Sequence, residues 1–284
     1  MSDWDNRAYI GVAVAMGLLL VAGVLSAMEI VGFDPKKHAR FSSGYPVRPV
    51  PNESPEFVGK GFDWSGVGWE ATAEGRESLT SRALTMVSPQ HFVYSGHFKY
   101  EEGRYGIGKI KFFSPTLKTT VLYTVDESVK PIQVRHPRNV ESGAVSDIWV
   151  GTLTEKLDPA HGIKHYPVLV FPSVNHYRGQ KLFTYAGRGA KIGVNSIDGV
   201  SEINGTVIMG FRMNSNQIGE SFMTSGDSGS PSFVPVDGKL TLVGLHYLSV
   251  NQENEMMSLD SFMPAYIEQM RAAGVPVEVL KPDY

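Results

Sequence analysis

The chain has 284 residues and a formal net charge of −3, and its 19% charged and 42% hydrophobic content gives it enough apolar material for a full core. These proportions exclude a disordered polymer, and 26 basic against 29 acidic residues leave no electrostatic footprint for DNA or RNA, so no nucleic-acid partner is expected. With no cysteine present, disulfides, cysteine nucleophiles, thiolate metal sites and lipidation at Cys are all excluded.

From Ala8 to Met28 the chain runs 21 residues without a charge, between Arg7 and Glu29, which is long enough as a helix to cross a bilayer. Its Val, Leu and Ala content with Gly11, Gly17 and Gly23 suits either a membrane anchor or a signal-peptide core cleaved near Ala27. Residues 1–33 are therefore expected to be a signal or membrane-anchor segment, with an N-terminal hydrophobic helix over 8–28 that exports the protein to the periplasm or exterior or holds it at a membrane. Lys36, Lys37 and Arg40 outnumber Arg7, and the positive-inside rule taken alone would keep the rest of the chain cytoplasmic.

Residues 34–60 carry Pro35, Pro46, Pro49, Pro51 and Pro55 without hydrophobic periodicity and are expected to be an extended, Pro-rich linker. Residues 61–284 follow as one domain. Short apolar or alternating runs at 83–87, 108–113, 120–125, 168–171, 207–211 and 240–245 are of strand length, and 30 Gly and 17 Pro punctuate them, so the fold class is all-β. Asp237-Gly238 between two such runs predicts a hairpin, because both residues tolerate positive φ. One C-terminal helix is expected, capped by Asp260 or Ser261, with Phe262, Tyr266, Ile267 and Met270 on its apolar face and Gly274 at its end.

The sharpest motif is Gly226-Asp227-Ser228-Gly229-Ser230-Pro231, with a chance occurrence on the order of one in 10^5 for evenly drawn residues. Glycines on either side of the serine let the backbone turn tightly and approach a substrate, so that the amides of Gly226 and Ser228 can converge on one oxygen. The motif resembles that around the catalytic serine of the chymotrypsin-like (trypsin-like) serine proteases, bacterial members in particular. Ser95-Gly96-His97 is similar to the family's Ala-Ala-His segment, Ser146-Asp147-Ile148-Trp149-Val150 to its Asp-Ile-Ala-Leu segment, and Trp64-Ser65-Gly66-Val67-Gly68-Trp69 to its first strand and turn. The resemblance extends over most of 62–248.

The resemblance implies a serine endopeptidase on a double antiparallel β-barrel, with His97 as general base, Asp147 orienting it, Ser228 as nucleophile and the Gly226 and Ser228 amides as oxyanion hole. His91, six residues before His97, aligns with a structural position. The order His, Asp, Ser separates this solution from α/β-hydrolases and subtilisin-like enzymes, whose orders differ. The substrate would be an extended polypeptide; neither cofactor nor metal is implied, and a monomer is expected. The specificity pocket would be lined by Phe222, Leu245, His246 and Tyr247, and with Phe222 where trypsin-like enzymes carry an acid, a neutral pocket is expected. Ile30-Val31-Gly32 resembles the new N-terminus of an activated zymogen but abuts the hydrophobic segment, and is read as coincidence, which leaves Asp227 in need of another partner. Two other functions stay open: a non-catalytic binding module on the same fold, and an esterase using the same triad.

Three weaker motifs are set aside. Gly103 to Lys109 has the spacing of a phosphate loop, but Ile110 stands where a magnesium-binding hydroxyl is needed. His161 and His165 lack a third ligand for zinc. Asn52-Glu53-Ser54 and Asn204-Gly205-Thr206 fit glycosylation acceptors, a pattern common by chance.

Overall fold

The β-branched and aromatic runs form strands, and two antiparallel sheets carry most of the chain in a computed structural model that describes residues 28–76, 78, 82–97, 107–135, 145–203, 205–214, 216–252 and 255–282. The first sheet has seven strands in the order Thr119–Thr124, Lys109–Ser114, Val67–Ala71, Ala83–Met86, His91–Ser95, Val145–Thr152 and Ile132–Arg135. A single bridge between Val125 and Leu153 joins chain beyond the Thr119–Thr124 strand to chain beyond the Val145–Thr152 strand. All five residues of Val67–Ala71 are buried, including Glu70, whose carboxylate takes two hydrogen bonds from the Arg82 guanidinium at 2.8 and 2.9 Å. Fork-to-carboxylate pairing of this kind satisfies both oxygens of a carboxylate inside a sheet.

The second sheet closes on itself. Pro231–Val236 pairs with both Lys181–Ala186 and Lys239–Gln252, and the ring is completed through Lys191–Ile203, Thr206–Met213 and Glu255–Phe262. The result is a closed six-stranded antiparallel barrel, with no free edge along its ring. The hairpin between Val236 and Lys239 turns at Asp237 and Gly238, at φ 48° and 73°, as the sequence predicts. Two short strands, Val168–Leu169 and Val279–Leu280, run parallel beside the Lys239–Gln252 strand. One apolar cluster joins the two sheets: Trp69, Val93 and Ile148 from the first share it with Phe183, Tyr185, Phe233 and Leu242 from the barrel.

The expectation of an extended linker over 34–60 is corrected. Asp34 caps a short helix at Pro35–His38, Arg40 donates to the Val67 carbonyl at 2.7 Å, and Phe41 and Phe57 belong to the shared cluster. The Asn52 amide donates to the carbonyls of Pro35, Lys36 and Ala39, which ties the segment back on itself. Pro35 starts the helix, Pro46 and Pro55 lie in turns, Tyr45-Pro46 being a cis bond, and Pro51 ends the short strand Val50–Pro51, while the aromatics between them supply the buried surface that a tether lacks.

The C-terminal helix is shorter than expected and starts later. Asp260, Ser261 and Phe262 complete the Glu255–Phe262 strand, because Asp260 and Ser261 pair with both the Thr206–Met213 and Lys239–Gln252 strands and Phe262 with Gly244 of the latter. A 3-10 turn at Met263–Tyr266 then leads into a helix at Ile267–Ala272, and Gly274 follows at φ 87°. The expected N-terminal helix lies outside the described residues apart from Met28, as do Gly103 to Gly106 of the phosphate-loop motif and Asn204 of the second glycosylation triplet. Among the described residues no helix is long and apolar enough to cross a membrane.

Candidate active site

His97 follows directly on the His91–Ser95 strand, and Asp147 lies on the neighbouring Val145–Thr152 strand. Register decides their meeting: Ile148 pairs with Ser95 and the Gly96 amide donates to the Asp147 carbonyl at 2.7 Å, which draws the next residue, His97, across Asp147. The His97 backbone amide donates to Asp147 Oδ1 at 2.8 Å, and its ring Nδ1 lies 2.9 Å from Oδ2. The imidazole is thereby held with its hydrogen on Nδ1, which places the basic lone pair on Nε2. The Asp147 side chain is 9% exposed and that of His97 43%, so the carboxylate is shielded while the ring faces solvent.

Ser228 sits in the turn between Thr224 and Pro231. The backbone bonding of this turn is selective: the amide of Asp227 donates to Thr224, that of Gly229 to His246, and that of Ser230 to Asp227. Among the described residues the amides of Gly226 and Ser228 donate to no protein acceptor. Gly226 and Gly229 hold φ of 98° and 78°, a region that favours glycine. The turn packs directly on the histidine strand, since a Cβ at Gly229 would stand 2.7 Å from the Ser95 amide nitrogen.

Asp227, left without an assigned partner by the sequence, points inward and is fully buried. Its Oδ2 accepts from the Thr224 amide at 3.0 Å and hydroxyl at 3.2 Å. Burial pushes the carboxyl up to about 6, against the Thr224 bonds, the His246 ring and the Met28 backbone amide, all of which favour the charged form. Oδ1 has no hydrogen-bond partner among the described residues. Met28 is brought there by the strand Glu29–Ile30, which pairs with Ser221–Phe222 just before the Ser228 turn. Ile30-Val31-Gly32 therefore lies beside the site, although its sequence position gave no sign of it.

The pocket residues divide. Phe222 is buried at the Glu29–Ile30 pairing, and Leu245 faces into the cluster shared by the two sheets. His246 is buried, its backbone exchanging bonds with Gly229 and Ser230, its Nδ1 3.4 Å from Asp260 Oδ1 and its Nε2 3.2 Å from Ser249 Oγ. Ser249 gives its one hydroxyl hydrogen to the Met223 carbonyl, so Nε2 is the donor in its contact with Ser249. Tyr247 is 38% exposed, and burial together with the Asp147 charge pushes its hydroxyl up.

Asp260, read in the sequence as a helix cap, and Ser249 were not linked to the site there, because both stand in strands and only the buried His246 between them connects the two. Thr224 was missed because its role is set by a turn three residues long. The two histidines weighed for zinc have separate partners: His161 Nδ1 meets the Tyr123 hydroxyl at 2.6 Å and His165 Nε2 meets Glu278 at 3.1 Å. His91 is half-buried, with Nδ1 2.8 Å from Ser88 Oγ, and burial pushes its ring down. No protein-family model and no curated protein matches the chain.

Proposed function

We propose that the protein is a serine endopeptidase in which Ser228 attacks a peptide carbonyl, His97 takes the serine proton, and Asp147 holds the imidazole in the productive tautomer. A serine hydroxyl is a weak nucleophile at neutral pH, so the reaction needs a base whose second nitrogen is fixed. The observation that carries this reading is the His97–Asp147 pair, bonded at both the backbone and the ring, next to a turn whose Gly226 and Ser228 amides are unspent. These amides would receive the developing oxyanion, a contribution of about 3 to 4 kcal/mol per donor. The acyl-enzyme at Ser228 forms as the amine leaves with the proton from His97, and water then completes hydrolysis by the reverse use of the same base.

The fold belongs to the same proposal. The seven-stranded sheet is the first barrel of a chymotrypsin-like pair, with the Val125–Leu153 bridge at its closure, and the six-stranded ring is the second. The cleft between them would take an extended polypeptide, and residues 8–28 would export the protein or hold it at a membrane. The pocket is read as non-acidic at Phe222, with the buried His246 as its polar group.

The test is covalent labelling of the protein by a fluorophosphonate, with Ser228→Ala and His97→Ala in parallel and the adduct located by mass spectrometry. An adduct on Ser228 that both variants abolish supports the reading. A folded protein that stays unlabelled sinks it and leaves a binding module on the same frame.

A further inference from the structure

Ser95 ends the His91–Ser95 strand and is 1% exposed, on the floor beneath His97 and Asp147. Its hydroxyl oxygen lies 2.8 Å from His97 Nδ1 and donates a short hydrogen bond to Asp147 Oδ2. Its backbone meanwhile sets the wall against which Gly229, the residue after the nucleophile, packs. One serine therefore touches all three segments from which the site is built.

The proton count fixes what the hydroxyl does. A carboxylate only accepts, so the single hydrogen of Ser95 goes to Asp147, and the lone pairs left on Oγ can then only accept the Nδ1 hydrogen of His97. That hydrogen stands between two acceptors, Asp147 Oδ2 at 2.9 Å and Ser95 Oγ at 2.8 Å. Asp147 in turn receives three donors: the His97 amide on Oδ1, and the ring and the Ser95 hydroxyl on Oδ2. A carboxylate so held cannot rotate away when the ring becomes cationic during attack.

We infer that Ser95 is a positioning residue of this site, its hydroxyl locking the Asp147 carboxylate and the His97 ring into one three-membered hydrogen-bonded unit. The inference rests on the peptidase reading of His97, Asp147 and Ser228. Ser95 acts through the other two and touches no substrate. An alanine there would fill most of the same volume and keep the fold, but would leave Oδ2 one donor short and the Nδ1 hydrogen with one acceptor.

The experiment compares wild type, Ser95→Ala and, as a control of similar burial, Ser114→Ala, whose hydroxyl serves only the His161 carbonyl and the Leu117 amide. Fluorophosphonate labelling rate is measured per folded molecule, and the downfield proton resonance of the His97 Nδ1 hydrogen is recorded in each. Ser95→Ala should label about tenfold or more slowly, the worth of one hydrogen bond to a charged group, and its resonance should move. Ser114→Ala should lower stability and leave both readings at the wild-type value. Wild-type labelling and an unmoved resonance in Ser95→Ala would overturn the inference while leaving the peptidase reading intact. An inert wild type would instead remove the reading and the inference together, and that result is distinguishable because it appears before any variant is made.

Discussion

Gly96 lies so close to Trp149 that a Cβ on it would stand 2.0 Å from both Cδ1 and Nε1 of the indole. Gly96 follows the His91–Ser95 strand and Trp149 lies on the neighbouring Val145–Thr152 strand, one residue before His97 and two after Asp147, so the contact is part of the frame that aligns the pair. Gly96→Ala must therefore push the indole aside or open the ladder. We expect it to destabilise the fold by about 1 to 3 kcal/mol, the usual cost of overpacking, and to slow labelling of Ser228. The same substitution in a Trp149→Ala background should cost far less. A double-mutant cycle by urea unfolding reads the coupling; additive effects would show that the contact is relaxed at no cost.

This pair also shows how far the sequence could be read. The resemblance at Ser95-Gly96-His97 and at Asp147-Ile148-Trp149 departs from the family pattern at both places, and neither departure is informative alone. Together they are a small residue making room for a large one, a fact carried by strand register rather than by either segment. The His97–Asp147 pairing was legible because the two resembling segments fix residue type at local spacing, and the turn at Ser228 because glycines flank it. The packing of residues 34–60 was not, because proline density reports only the local chain, whereas Phe41 and Phe57 find their partners in both sheets. Ser95 was visible only as a departure from Ala, since its partners are set by the fold.

Residues 28–60 should behave as part of the domain. Phe41 is 6% exposed and stacks on Tyr45 and against Trp69 and Phe113, so Phe41→Ala should cost about 3 to 5 kcal/mol. A protein beginning at Gly61 would also lose the Arg40 bond to Val67 and the Glu29–Ile30 strand beside the Ser228 turn. Thermal unfolding of that truncation should show no cooperative transition. A true linker would leave the midpoint unchanged, and that result would return the segment to the role its prolines suggest.

Asp227 gives the fold a pH dependence of definite sign. Its carboxyl titrates at about 6 when folded, against an ordinary value of 3.8, because burial disfavours the charge. The folded state therefore binds this proton more tightly, and the contribution is full below about 3.8, falls as pH rises from there through about 6, and is flat above. A gap of this size corresponds to about 3 kcal/mol. Asp227→Asn, which keeps an acceptor for Thr224 and cannot ionise, should lose that slope. Urea midpoints of both proteins between about pH 4 and 7.5 provide the check, and parallel curves would show that the folded carboxyl titrates normally.

His91 and His97 make the opposite pair, two histidines six residues apart with different work. His91 is lowered by burial, so its contribution to stability is complete above about 6.5, the unperturbed histidine value, and is lost as pH falls through the folded value. Its slope opposes that of Asp227 in the same window, which is why each must be read against its own variant. His91→Gln should flatten the acid side of the stability curve and cost about 1 kcal/mol at about pH 7.5 through the lost Ser88 contact. Labelling of Ser228 in that variant should stay within about threefold of wild type, a difference of under about 1 kcal/mol in barrier. His97→Ala should do the reverse, abolishing labelling with little change in unfolding midpoint, because its ring is exposed and its backbone bond to Asp147 survives. If His91→Gln were the variant that abolished labelling, the base would have been assigned to the wrong histidine and the Asp147 pairing would be structural.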